Sequence, residues 1–125
     1  MKYIYIDGDD IGLMIEKCFM GNDEKNLKKI NTTINRAITQ LTEYLTKEGC
    51  DIIFSGADGI IFKKQNPNTA AILSHINTIN TSITFSIGVG NSLREAFLAL
   101  RFAKANGKNG IATLDSDFIW HKNTN

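Results

Sequence analysis

The chain has 125 residues, enough for one domain with a buried core and too few for two. A formal net charge of +1 excludes the basic field that grips long nucleic acids, so any nucleotide partner is expected to be small. No apolar run reaches the roughly 20 residues that cross a bilayer, which excludes a membrane-spanning class.

Residues 2–6 form a dense β-branched and aromatic run, short enough for a strand buried on both faces. Asp7, Asp9 and Asp10 then interrupt it, so it does not read as a signal peptide, and a cytoplasmic protein is expected. Cys18 and Cys50 lack CxxC spacing and fit reduced thiols. Residues 11–19 read as a brief helix. Over 23–47 the apolar positions Leu27, Ile30, Ile34, Ile38, Leu41 and Leu45 step by three and four, which marks a long amphipathic helix ended by Gly49. Residues 51–54 and 60–63 are two strands of a hairpin around Ser55-Gly56-Ala57-Asp58-Gly59. Pro67 and Asn68 open another helix, and Ile83, Phe85, Ile87 and Val89 alternate with small residues as a half-buried strand. Ser92 and Glu95 have capping-box spacing for a helix to about residue 106. Residues 111–114 add an edge strand, and the tail 116–125 is expected to fray.

The order β-α-β-β-α-β with an α-β extension predicts an α+β, ferredoxin-like (RRM-like) antiparallel sheet with helices on one face and strand order 4-1-3-2. That order makes the first and third strands neighbours, so Asp7 and Asp58 should face each other across about 5 Å of sheet. Asp9, two residues from Asp7, projects to the same side. Crowded carboxylates repel at neutral pH, and a hard cation such as Mg²⁺ or Mn²⁺ relieves this while keeping positions open for water or phosphate. The carbonyl of Gly8 is a further oxygen ligand. Two such ions can activate a hydroxyl and stabilise the leaving oxygen of an in-line displacement. Each motif also has a plain structural reading: the Asp run can cap a helix, and Asp58-Gly59 suits a turn. Only their convergence singles them out.

Lys104 and Lys108 can reach phosphate oxygens from the end of the last helix, or merely complement its dipole. The backbone amides from Asp10 through Ile11 and Gly12 to Leu13, at the start of the first helix, can cradle a phosphate.

The run Tyr5-Ile6-Asp7-Gly8-Asp9-Asp10-Ile11, the hairpin Ser55 to Gly59, and the segment Ala103-Lys104 to Asn109 resemble, in this order, the palm superfamily of GGDEF and type III CRISPR proteins. In its brevity the chain is similar to the minimal CRISPR polymerases. The resemblance implies a ferredoxin-like palm that condenses nucleoside triphosphates into cyclic di- or oligonucleotides in antiviral signalling. It also implies Asp7 and Asp58 as catalytic metal ligands, Gly8 beside them, and Lys104 and Lys108 on the triphosphate. Gly59 departs from the pattern, standing where GGDEF proteins carry a metal-binding Glu and CRISPR palms a second Asp; Asp9 or Asp10 is the candidate replacement. Ile15 takes the slot of a guanine-reading Asn and Gly12 that of a Lys, which disfavours guanine and leaves ATP as the favoured substrate. Since one palm offers one donor site, closing a ring of two nucleotides implies a face-to-face homodimer. A catalytically silent nucleotide-binding module, or a triphosphate hydrolase or ring-opening enzyme on the same palm, are the competing expectations.

Overall fold

The computed structural model describes residues 1–79 and 81–124. In β1 (Lys2–Gly8), Ile4 and Ile6 are fully buried, while Tyr3, Tyr5 and Asp7 alternate with them and stay partly accessible. α1 (Ile11–Met20) and α2 (Glu24–Lys47) follow. The Asp23 side chain starts α2 by accepting from the Asn26 amide at 3.1 Å. Ile34, Ile38, Leu41 and Leu45 of α2 share one buried cluster with Ile4 and Ile6 of the sheet. β2 (Asp51–Gly56) and β3 (Gly59–Lys64) form the expected hairpin, turning on Ala57 and Asp58 with Ala57 at φ 50°. α3 (Thr69–Thr78), capped by Asn68, adds Ile72 and Ile76 to the same cluster.

The sheet runs β2-β3-β1-β4-β5-β6, where β4 is Phe85–Gly90, so its first four strands take the expected antiparallel 4-1-3-2 order. Two expectations need correction. β4 is buried along its whole length, not half-buried, and helices cover both faces of the sheet. The cause is α4 (Leu93–Ala105), which lies on the glycine side of β4. A Cβ on Gly88 would stand 2.3 Å from the Ala96 carbonyl oxygen, and one on Gly90 would stand 2.4 Å from the Glu95 Cβ. The small residues of the alternation mark a close helix approach rather than a solvent face.

The extension also differs. β5 (Gly110–Asp115) pairs in parallel with β4 through the α4 crossover, so the sheet is mixed. β5 is not the edge, because β6 (Asp117–Lys122) pairs with it antiparallel across a turn at Ser116, φ 58°. The expected fraying from 116 is therefore overturned for residues 117–122. Residue 125 lies outside the described residues. What holds β6 is packing: Phe118 stacks on Phe102 with centroids 4.5 Å apart, and Trp120 meets the same ring at 6.5 Å. Lys122 donates to the carbonyls of Gly107 and Lys108 at 2.6 and 2.8 Å. Among the described residues no helix is long and apolar enough to cross a membrane.

Candidate active site

β1 ends between β3 and β4, and its last residues are acidic. The register sets Asp7 opposite Gly59 on one side and Ser86 on the other. The expected facing of Asp7 and Asp58 is thus off by one: Gly59 faces Asp7, and Asp58, the turn residue before it, takes the Gly8 amide on its carbonyl at 2.9 Å. Burial pushes the Asp7 carboxyl above the usual aspartate range; the Lys104 ammonium opposes this, and the charges of Asp58 and Asp9 add to it. Tyr5 lies two residues back, and its phenol is also pushed up, by burial first and then by Asp7 and Asp58. At Gly59 a Cβ would meet an Asp7 carboxylate oxygen at 3.1 Å and the Tyr5 ring at 3.3 Å. The first atom of a second hairpin carboxylate would thus be crowded at this position.

Asp9 behaves differently from Asp7. It is 2% exposed and accepts four hydrogen bonds. Ser86 Oγ (2.6 Å) and Lys104 Nζ (2.8 Å) donate to Oδ1; Thr84 Oγ1 (2.7 Å) and the Asn109 amide (3.1 Å) donate to Oδ2. Burial alone would raise this carboxyl, but the bonds from Lys104, Ser86 and Thr84 outweigh it and hold it below the usual range. About four lone-pair sites are all engaged, which leaves none free for a cation. In this arrangement Asp9 does not fit the metal-ligand set; it ties β1 to β4 and to the loop after α4.

Lys104 reaches into the same cluster. Its ammonium lies 2.9 Å from the Gly8 carbonyl oxygen, 2.8 Å from Asp9 and 3.1 Å from Asp7 Oδ2. Burial would lower the lysine pKa, but the hydrogen bond and charge of Asp9, with Asp7 behind them, carry it upward. Lys108 instead pairs with Asp10. Asp10 itself has φ 61°, and its side chain makes no capping bond to α1. The amides of Ile11, Gly12 and Leu13 therefore begin α1 without a side-chain cap, beside the carboxylates. A Cβ on Gly12 would meet nothing within 4 Å, so this end of the helix is open.

Next to Asp58 lies a cleft of about 460 Å³ between α1, α2 and the hairpin. Ile11, Ile15 and Ile30 line it, with Asn31 and Asn35 one helical turn apart on α2. The Asn35 side-chain Nδ2 donates to Asn31 Oδ1 at 3.3 Å. These two asparagines, and the Thr84, Ser86 and Asn109 partners of Asp9, escape a reading by motif. The one available signal for the asparagines is their four-residue spacing beside the Ile30–Ile34 stripe.

Whether this donor set suits a divalent ion can be tested on its own chemistry. Among the described residues no group of three or more His, Cys, Asp and Glu side chains surrounds a metal position. Asp7, Asp58 and the Gly8 carbonyl nevertheless supply only hard oxygen ligands, and a cationic group, the Lys104 ammonium, already rests against two of them. The set fits Mg²⁺ or Mn²⁺ with its remaining positions on water or phosphate, the usual preference of these ions.

A family model described as the minimal CRISPR polymerase domain matches residues 3–114. No match was found among curated protein sequences. Among solved structures the chain is similar to the GGDEF domain of DgcB from Caulobacter crescentus in complex with c-di-GMP. The TM-score is 0.65 at 14% identity, over 90% of this chain and 76% of that one. It is also similar to the adenylyl cyclase CyaB from P. aeruginosa, with TM-score 0.64 and 13% identity over 92% and 76% of the two chains. The guanylate cyclase domain of RhGC from Catenaria anguillulae in complex with GTP gives 0.64 at 14% identity over 92% and 78%. At such identities the likeness concerns the fold, a ferredoxin-like α+β palm.

Proposed function

The chain belongs to the family of minimal CRISPR polymerase domains, and from that premise we propose that it is a nucleotidyltransferase that joins nucleoside triphosphates into a cyclic di- or oligonucleotide in antiviral signalling. A ribose hydroxyl oxygen attacks the α-phosphorus, the new phosphoester bond forms as the α–β bridging bond breaks, and pyrophosphate leaves with the bonding electrons. The hydroxyl proton passes to solvent. The observation that carries this reading is the convergence of Asp7, Asp58 and the Gly8 carbonyl at one sheet end, with a lysine ammonium against Asp7 and Gly8.

Asp7, Gly8 and Asp58 hold Mg²⁺ or Mn²⁺ in this proposal, and the bound ions supply charge neutralisation and a more acidic attacking hydroxyl. The chain's own groups position the substrate. The uncapped amides of Ile11 and Gly12 receive phosphate oxygens. Lys104 and Lys108 add cationic charge to the triphosphate. The cleft beside Asp58 takes the base against its isoleucines, where Asn31 and Asn35 offer carboxamides to a purine edge. Carboxamides carry both a donor and an acceptor and suit either purine; Ile15, in the slot of the guanine-reading Asn, supports adenine, hence ATP. Two such subunits face to face supply donor and acceptor nucleotides for ring closure.

A catalytically silent binding module is the second reading, favoured by Gly59 and the crowding at its Cβ position. Incubation with each triphosphate and Mg²⁺ or Mn²⁺, followed by mass spectrometry, separates the two. We expect a cyclic adenine nucleotide, and a loss of more than about 100-fold in Asp58→Ala, beyond what removal of an outer-shell partner costs. Tight nucleotide binding with no product from any triphosphate leaves only the silent module. Linear products alone support a hydrolase.

A further inference from the structure

The position of Lys104 has a consequence for how the site fills. An ammonium has three N–H donors; here two bond the Gly8 carbonyl and Asp9 Oδ1, and the group also lies in an ion pair 3.1 Å from Asp7 Oδ2. A lysine held on three sides in this way has to give up contacts to the carboxylate side before its ammonium can turn to a phosphate. Two of its acceptors, Asp7 and Gly8, are also the oxygens assigned above to a divalent ion. An ion at coordination distance from these oxygens would stand close to an ammonium 2.9 and 3.1 Å from them, with mutual repulsion. The third acceptor differs in kind: Asp9 keeps Ser86, Thr84 and Asn109 as partners when the lysine moves.

We infer that Lys104 is a resident counter-ion, which holds Asp7 and the Gly8 carbonyl while the site lacks substrate and yields them to a divalent cation as a triphosphate draws its ammonium away. Metal and triphosphate then bind as one cooperative unit. The free protein binds the cation poorly, because the cation must displace a lysine that has nowhere else to go. It binds triphosphate poorly without the cation, because Lys104 is committed to its carboxylates. Reciprocity follows, since each ligand must raise the affinity for the other by the same factor. Lys108 provides the comparison: it carries the same charge into the cluster but pairs with Asp10 and touches neither Asp7 nor Gly8. This inference rests on the cation reading proposed above.

The test titrates Mn²⁺ into wild type, Lys104→Met and Lys108→Met, with free Mn²⁺ followed by electron paramagnetic resonance. Each protein is measured with and without an ATP analogue carrying a methylene in place of the α–β bridging oxygen, against a protein-free blank. Without the analogue, Lys104→Met should bind Mn²⁺ about tenfold tighter than wild type, and Lys108→Met within about threefold of it. The analogue should raise Mn²⁺ affinity more in wild type than in Lys104→Met. Should both variants shift alike, the lysine acts only through its field and the exchange is refuted. Equal enhancement by the analogue in wild type and Lys104→Met refutes it too. If Mn²⁺ binds none of the proteins in either state, the underlying cation reading falls, a different and recognisable failure. Circular dichroism checks folding; where Lys104→Met does not fold, Lys104→Gln, which keeps a side-chain donor without the charge, replaces it.

Discussion

Two aspartates separated by one glycine carry opposite tendencies, and this makes them separable by pH. Asp9 is held below the usual range, so its folded pKa lies under the unfolded value of about 4. The unfolded chain then binds the extra proton between those values, and the stability Asp9 contributes is present above about pH 4 and lost as pH falls through its folded pKa. Asp7 is raised, so between about pH 4 and its folded pKa the native state binds the proton. Its contribution grows on acidification and is lost as pH rises through that window. Asp9→Ala should cost on the order of 3–5 kcal/mol at pH 7, because it strands a partly buried lysine and three further donors. Asp7→Asn should be more stable than wild type at neutral pH, with the gain fading towards pH 4. Urea unfolding across pH 3.5–8 reads both; an Asp9→Ala cost under 1 kcal/mol would remove its role as the tie. The sequence marks both positions as acidic but not their division of labour, since Thr84, Ser86 and Asn109 lie 75 to 100 residues away from Asp9.

At the scale of elements, two glycines with similar appearance in the sequence have opposite meanings. Gly88 has the Ala96 carbonyl and the Leu100 amide 2.3 Å from where a Cβ would stand, and both are backbone atoms that cannot rotate away. Gly88→Ala should therefore push α4 off β4, cost about 3 kcal/mol, and draw Lys104 out of reach of Asp9. Gly12 is in α1 with open space around it, so Gly12→Ala should stabilise by about 0.4–1 kcal/mol. Thermal and urea melts check both signs. The contrast explains what was legible. The stripe Ile34, Ile38, Leu41, Leu45 announces α2 because hydrophobic period and burial coincide. The hairpin and the approach of Asp58 to Asp7 follow from strand order. β4 misleads because glycine counts as a polar position in an alternation, although here it admits a helix backbone. α4 on the far face was hidden for the same reason.

Taken whole, the site gathers groups from both ends of the chain, and its last support lies beyond the family match. Asp7 comes from β1, Asp58 from the hairpin, Lys104 from α4, and the Asn109 amide from the loop between α4 and β5. That loop holds three residues with positive φ in a row, Gly107, Lys108 and Asn109, a conformation that needs outside bracing. The bracing comes from β6 and its continuation: Lys122 ties the carbonyls of 107 and 108, and the Asn123 amide donates to the Asn109 carbonyl at 2.8 Å. Nothing in the sequence ties this tail to Asp9, because its link runs through backbone carbonyls rather than through a motif. Removing residues 116–125 should thus do two things. It uncovers the β5 edge and the Phe102 ring, costing on the order of 3 kcal/mol and promoting concentration-dependent association. It also frees the 107–109 loop, so binding of the ATP analogue should weaken by about tenfold even where the truncated chain is folded. Calorimetry of the truncated and full chains, with circular dichroism as the folding check, measures the second effect apart from the first. Equal analogue affinity in the two would mean that the loop keeps its shape unaided and that β6 serves only to close the sheet.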